Sequence, residues 1–163
     1  MSDATILETL RGVEFLHDIA DEHLVRLAEI ARPIDFPPRT EMFRESDKAK
    51  NVYLIVSGKV SLYMCAPKVG CRQLMEVGPG EIVGWSPLVE RERLSDTALT
   101  LTDTKTIALN GEEILRLCAD NPQFGFEFMR RAAIALSQRL SATRLQLLEV
   151  SGFHLPDVQI ESD

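Results

Sequence analysis

Between residues 31 and 109 the apolar side chains recur at every second position, and outside that section they recur at helical spacing. Val52, Leu54 and Val56 alternate with Tyr53 and Ile55, and Val60, Leu62 and Met64 alternate with Ser61, Tyr63 and Cys65. A period of two puts successive side chains on opposite faces of a sheet, so the section predicts about eight short antiparallel strands, closed or nearly so. Ser57-Gly58 reads as a two-residue hairpin and Pro67-Lys68-Val69-Gly70 as a second turn. Gly78-Pro79-Gly80-Glu81 and Gly84-Trp85-Ser86-Pro87-Leu88 interrupt the alternation before Thr97-Ala98-Leu99-Thr100-Leu101 resumes it. Glycine at such a junction marks a positive φ or a close backbone approach. The last of these glycines opens a segment that reads as one helical turn, whose free N–H groups could face an anion.

Helix flanks the strands. Ile6, Leu7, Leu10, Val13, Phe15 and Leu16 form one apolar set, and Leu24, Leu27, Ala28 and Ile30 form another after Asp21, the expected N-cap. Asn110 with Glu113 makes a capping-box-like start, and Asn121-Pro122 places a cap before a proline at the first helical position. The final helix is expected to reach Val150 and stop at Ser151-Gly152. The fold expected is mainly β with flanking α: an antiparallel, jelly-roll-like β-barrel with N-terminal helices and a long C-terminal helix. One domain spans 1–150, with helices in 5–30, the barrel in 31–109 and helices in 110–150, followed by a tail, 151–163.

Composition excludes several function classes. A formal charge of −7 repels nucleic acid. No apolar run approaches the ~18 residues of a membrane span, and the N-terminus shows no signal-peptide pattern. Cys65, Cys71 and Cys118 lack a metal-like spacing and read as three free thiols in a reducing cytoplasm. His17, His23 and His154 all lie outside the barrel section, which leaves no histidine for a metal-binding strand cluster, a nucleophile–histidine pair or a haem ligand. The chain is expected not to be an enzyme and to carry no metal.

Taken in order, residues 10–147 resemble the cyclic-nucleotide-binding domain family, the type found in catabolite activator protein and in the regulatory subunit of cyclic-AMP-dependent protein kinase. Val52-Tyr53-Leu54-Ile55-Val56-Ser57-Gly58 matches that family's strand and turn, and Gly78-Pro79-Gly80-Glu81-Ile82-Val83-Gly84 matches the approach to its phosphate-binding cassette. The resemblance implies a glutamate for the ribose hydroxyl after the last glycine, and about ten residues later an arginine for the cyclic phosphate. Trp85 stands at the glutamate position and Leu94 at the arginine position, with Ser95 following as the family has it. An anion buried without its cation costs on the order of 3–5 kcal/mol, so cyclic AMP is expected to bind weakly or not at all. Gly84, Trp85, Ser86, Leu88, Arg93, Leu94, Ser95 and Thr143 form the candidate pocket. Arg91 and Arg93 are either loop charges or, by a slip of the loop, a replacement cation. Asp96 adds negative charge nearby. Trp85 either stacks on a flat ligand or fills the space one would occupy. Thr143 resembles a position from which relatives reach the base.

On the last helix, Met129, Ala133, Leu136, Leu140, Thr143, Leu147 and Val150 make an a/d seam flanked by Arg139 and Arg144. Ile134, Ala142, Leu145 and Leu148 form a second strip, so one face can meet the barrel and another a second copy of the chain. A homodimer is therefore expected, with Met129, Ala133, Leu136, Leu140, Thr143 and Leu147 at its interface. The residues after Val150 are too few for the winged helix-turn-helix that follows this helix in transcriptional relatives, so no direct nucleic-acid binding is expected. Two readings of function stand. One is a regulatory module that senses a nucleotide or other small ligand and signals through this helix to a partner protein. The other is a ligand-free interaction scaffold with an internally filled pocket. Phe153 and Leu155 in the tail either fold back against Trp85 or form a frayed end.

Overall fold

The computed structural model describes residues 2–89 and 92–158. Helix α1 (Asp3–Arg11) starts on Ser2, whose hydroxyl accepts from the Thr5 N–H, and buries Ile6 and Leu10. A 3-10 turn at Glu14–Leu16 leads to α2 (Asp21–Ile30), which buries His23, Leu24 and Leu27. Asp21 is not the N-cap of α2. Ala20 holds that place without a side-chain bond, because the Asp21 carboxylate takes the Arg11 guanidinium at 2.8 and 2.9 Å.

Eight strands follow: β1 (Ala31–Phe36), β2 (Glu41–Phe43), β3 (Asn51–Ser57), β4 (Val60–Ala66), β5 (Gly70–Val77), β6 (Ile82–Val83), β7 (Thr97–Thr100) and β8 (Thr104–Asn110). They form two antiparallel four-stranded sheets, ordered β1-β8-β3-β6 and β2-β7-β4-β5. The first sheet is covered on both faces. Val52, Leu54, Ile107 and Leu109 point into a cluster with α1, α2 and the C-terminal helices. Ile55 and Val83 face the second sheet, where they meet Phe43, Val60, Leu62, Val77 and Ala98. Burial on two faces explains why β3 reads as an almost continuous apolar run.

Ser57-Gly58 is not a hairpin. β3 pairs with β6 and β8, and β4 with β5 and β7, so here the chain crosses from one sheet to the other. Gly58 has φ +98°, and a Cβ on it would lie 2.5 Å from the Asp103 carbonyl oxygen. Only glycine fits the crossing. The turn at 67–70 is the true hairpin, joining β4 to β5. It places Cys65 opposite Cys71, and the two form a disulfide rather than free thiols; among the described residues Cys118 is the free cysteine.

Helix α3 (Gly111–Asp120) is capped by the Asn110 side chain, which accepts from the Glu113 N–H at 3.1 Å. Helix α4 (Pro122–Ser151) is capped by Asn121, which accepts from the Phe124 N–H at 3.2 Å. Phe124, Gly125, Phe128 and Ala132 bury its first part, and the Phe128 ring meets Phe15 edge-on at 5.4 Å. Met129 is half-buried and packs against this same core. From Leu140 to Val150 every residue is exposed. No helix among the described residues is long and apolar enough to cross a membrane.

Candidate functional site

The glycine cluster after β6 is held from two sides. Gly84 has φ +73°, and a Cβ there would lie 3.0 Å from the Asn51 carbonyl oxygen and 3.2 Å from the Phe43 ring. The following 3-10 turn, Ser86–Val89, buries Ser86, Pro87 and Leu88. Its Pro87 abuts Gly111, where a Cβ would come within 2.3 Å of the proline Cβ. The turn is thus fixed to the start of α3.

The candidate residues divide over several environments. Trp85 is half-buried and packs against the helix-side core. Leu94 is 7% exposed and sits in the cluster between the sheets, so it is the leucine that occupies inter-sheet space. Its backbone is tied to the β2–β3 loop, with the Leu94 N–H donating to the Asp47 carbonyl at 3.0 Å. Ser95 and Asp96 are half-buried. Arg93 does not enter the pocket: it is exposed, bridges to Lys48 and donates to the Ser46 carbonyl at 3.1 Å. Arg91 lies outside the described residues. Thr143 is exposed, and its hydroxyl donates to the Arg139 carbonyl at 2.8 Å. The fold therefore gathers Gly84, Ser86 and Leu88 at the cassette, sends Leu94 between the sheets, and leaves Arg93 and Thr143 on the surface.

A cation reaches the strand before the cassette, from α4. Arg139 donates to the carbonyl of Ile82, immediately before Val83-Gly84. Burial pushes this guanidinium down from its ordinary range, and the charges of Glu81 and Asp96 oppose that shift. Burial also pushes the Asp96 carboxyl up, which Arg139 counters and Glu45 reinforces. Sequence reading had given Arg139 only the flank of a seam. The available signal was its place one helical turn before Thr143, on the face that resembles the base-contacting one.

Arg139 also stands on the wall of a cavity of about 590 Å³ between α4 and the barrel. Gln138, Ala135 and Ala142 line it from the helix, Met75 and Ile82 from the sheets, and Glu81 from the turn before β6. That volume lies in the range of small-molecule sites, roughly 300–1,000 Å³. Arg131 anchors α4 beside it, donating to the His17 carbonyl and to Glu127. The Arg131 hydrogen bond holds the Glu127 carboxyl below its usual range. Among the described residues no His, Cys, Asp and Glu group of three or more could hold a metal ion.

Residues 33–121 match the family model described as the cyclic nucleotide-binding domain, over more than half of the chain. The chain belongs to the cyclic nucleotide-binding domain family. It is 23% identical over 143 residues to a CRP-like cAMP-activated global transcriptional regulator of Mycobacterium tuberculosis, covering 88% of this chain and 62% of that protein. The catabolite activator protein of Thermus thermophilus superposes with a TM-score of 0.69 at 28% identity, over 85% of this chain and 63% of that one. A cyclic nucleotide-binding domain from Methylobacillus flagellatus superposes with a TM-score of 0.80 at 20% identity, over 96% and 86% of the two chains, a likeness of fold. The chain spans about 62% of the length of the curated relatives it matches. Two antiparallel sheets flanked by helices, with a long C-terminal helix, are this family's jelly-roll-like architecture, as expected from the sequence.

Proposed function

We propose that this cyclic nucleotide-binding domain is a non-enzymatic regulatory module. It senses an anionic small ligand in the cavity beneath α4 and reports it through that helix to a protein partner and a second copy of the chain. The observation that carries the reading is Arg139. One side chain of the output helix touches the strand before the cassette and also lines the cavity, so an anion there would be held by the element that has to respond. Curated relatives are named as cAMP-activated regulators, which favours a nucleotide-like ligand. Leu94 at the position where the family places its phosphate arginine argues against cyclic AMP in the usual pose.

A scaffold with a filled pocket is favoured by one separate observation, the burial of Leu94 between the sheets. A thermal-shift screen of cyclic mono- and dinucleotides on the wild type and on Arg139→Gln distinguishes the two. Under the sensor reading, one ligand at a hundred times its Kd stabilises the wild type by about 2.7 kcal/mol, a shift of about 5–10 °C. Loss of the guanidinium then weakens that ligand by about tenfold or more, while cyclic AMP shows no sub-micromolar affinity by calorimetry. A screen that shifts neither protein leaves the scaffold, and tight cyclic AMP binding overturns the account of Leu94.

A further inference from the structure

Cys65 and Cys71 are bonded across the β4–β5 ladder at directly opposed positions, six residues apart in sequence. Both are exposed, as are their neighbours Met64 and Ala66 and the whole of residues 67–74. The buried parts of the two strands lie at their other ends, at Val60, Leu62 and Val77. β5 forms the edge of its sheet, so the bonded end of the hairpin pairs only with itself beyond Tyr63. The crosslink therefore sits outside the core and contributes little to holding the two sheets together. Lys68 lies in the turn between the two cysteines, and the Arg72 guanidinium donates to the Cys71 backbone carbonyl at 3.0 Å. A disulfide that is exposed and outside the core is the kind that exchanges readily with thiols. Cys118, on α3, differs: it is half-buried, and burial pushes its thiol up.

We propose that Cys65 and Cys71 are a reversible thiol–disulfide exchange site whose co-reactant is a small thiol of the glutathione class. The thiolate of one reductant attacks one sulfur, the S–S bond breaks, and the other cysteine leaves as a thiolate that takes a proton from water. A second reductant resolves the mixed disulfide, so two thiols become one disulfide of the reductant while the chain gains two thiols and two electrons. From Cys71 the same strand runs to Met75 and Glu76, which line the cavity beneath α4. Loss of the bond frees the exposed end of a strand whose other end, held by Val77, forms one wall of that cavity. The exchange itself does not depend on any ligand binding there.

The test equilibrates the full chain with glutathione at a series of reduced-to-oxidised ratios, quenches in acid, unfolds the protein and counts maleimide labels by mass. The expected result is one label at the oxidising end and three at the reducing end, with the same midpoint approached from either direction. Amide exchange should rise on reduction in residues 64–76 and stay unchanged in β3 and β8. Cys65→Ser should show the reduced exchange pattern at every ratio and gain one glutathione at Cys71 under oxidising conditions. Three labels throughout would mean that no bond forms. One label in millimolar reduced glutathione would mean a structural crosslink. Full exchange with unaltered amide protection would remove the link to the cavity wall. Either of the first two results overturns the proposal, whereas the third supports the exchange and overturns its link to the cavity.

Discussion

Asp96 is a carboxylate half-buried beside Leu94 and Ser95, with Arg139 as its counter-charge. Burial outweighs that attraction and raises its pKa, so at neutral pH the charged form is less favourable in the folded protein than in the unfolded chain. A carboxyl raised on folding detracts from stability above its folded pKa, and the loss vanishes below its unfolded pKa. Asp96→Asn should therefore raise the melting midpoint modestly at pH 7, with the gain shrinking on acidification and gone below about pH 4. Melting curves of the two proteins between pH 3 and 8 check this, and a pH-independent difference would assign the effect to packing instead. At the same scale, Trp85 and Leu94 have separate fates. The tryptophan lies on the helix side and the leucine between the sheets, although the sequence places them at neighbouring positions of one motif.

At the scale of the element, α4 has two parts with different duties. As far as Ala132 it is a core helix, and from Leu140 to Val150 every residue is exposed. Leu140 is 52% exposed and Leu147 50%, while Met129 is packed into the chain's own core. The seam residues from Leu140 onward are thus the ones most open to a second copy. Leu140→Glu should leave the melting of the monomer fold nearly unchanged, since half of the side chain is already in water. In a dimer seam, an uncompensated carboxylate costs about 3–5 kcal/mol, which raises the dissociation constant by about two decades or more. Light scattering across a concentration series checks this, and an unchanged dimer would place the interface elsewhere.

Over the whole molecule, the terminal 3-10 turn at Gly152–His154 leaves Phe153 fully exposed, so that ring does not fold back onto Trp85, while Leu155 is 37% exposed. Phe153→Ala should shift stability by less than about 0.5 kcal/mol and leave the binding of a hydrophobic dye unaltered. A clear loss of melting temperature would restore the plug. Features that depend on near neighbours were legible in the sequence. The Asn110 and Asn121 caps, Pro122 at a helix start, the alternation in β3 and β4 and the turn before Cys71 are all decided within a few residues by hydrogen-bond geometry and side-chain period. Other features were not legible. Ser57-Gly58 carries a hairpin signal, yet which strand receives β4 depends on β5 and β7, and the short-range pattern is the same for a hairpin and a crossing. The disulfide depends on the register that sets Cys65 opposite Cys71, which an odd count of cysteines hides. Arg139 meets Ile82 across 57 residues of sequence, and no local pattern distinguishes a buried arginine from a solvated one on the same helix. The order of apolar periods by itself determined the helix–sheet–helix architecture, because burying those faces permits few arrangements. Which charge meets the strand before the cassette was decided only by the tertiary structure, because a single guanidinium is placed by the packing of α4 against the barrel and not by its own neighbours in the chain.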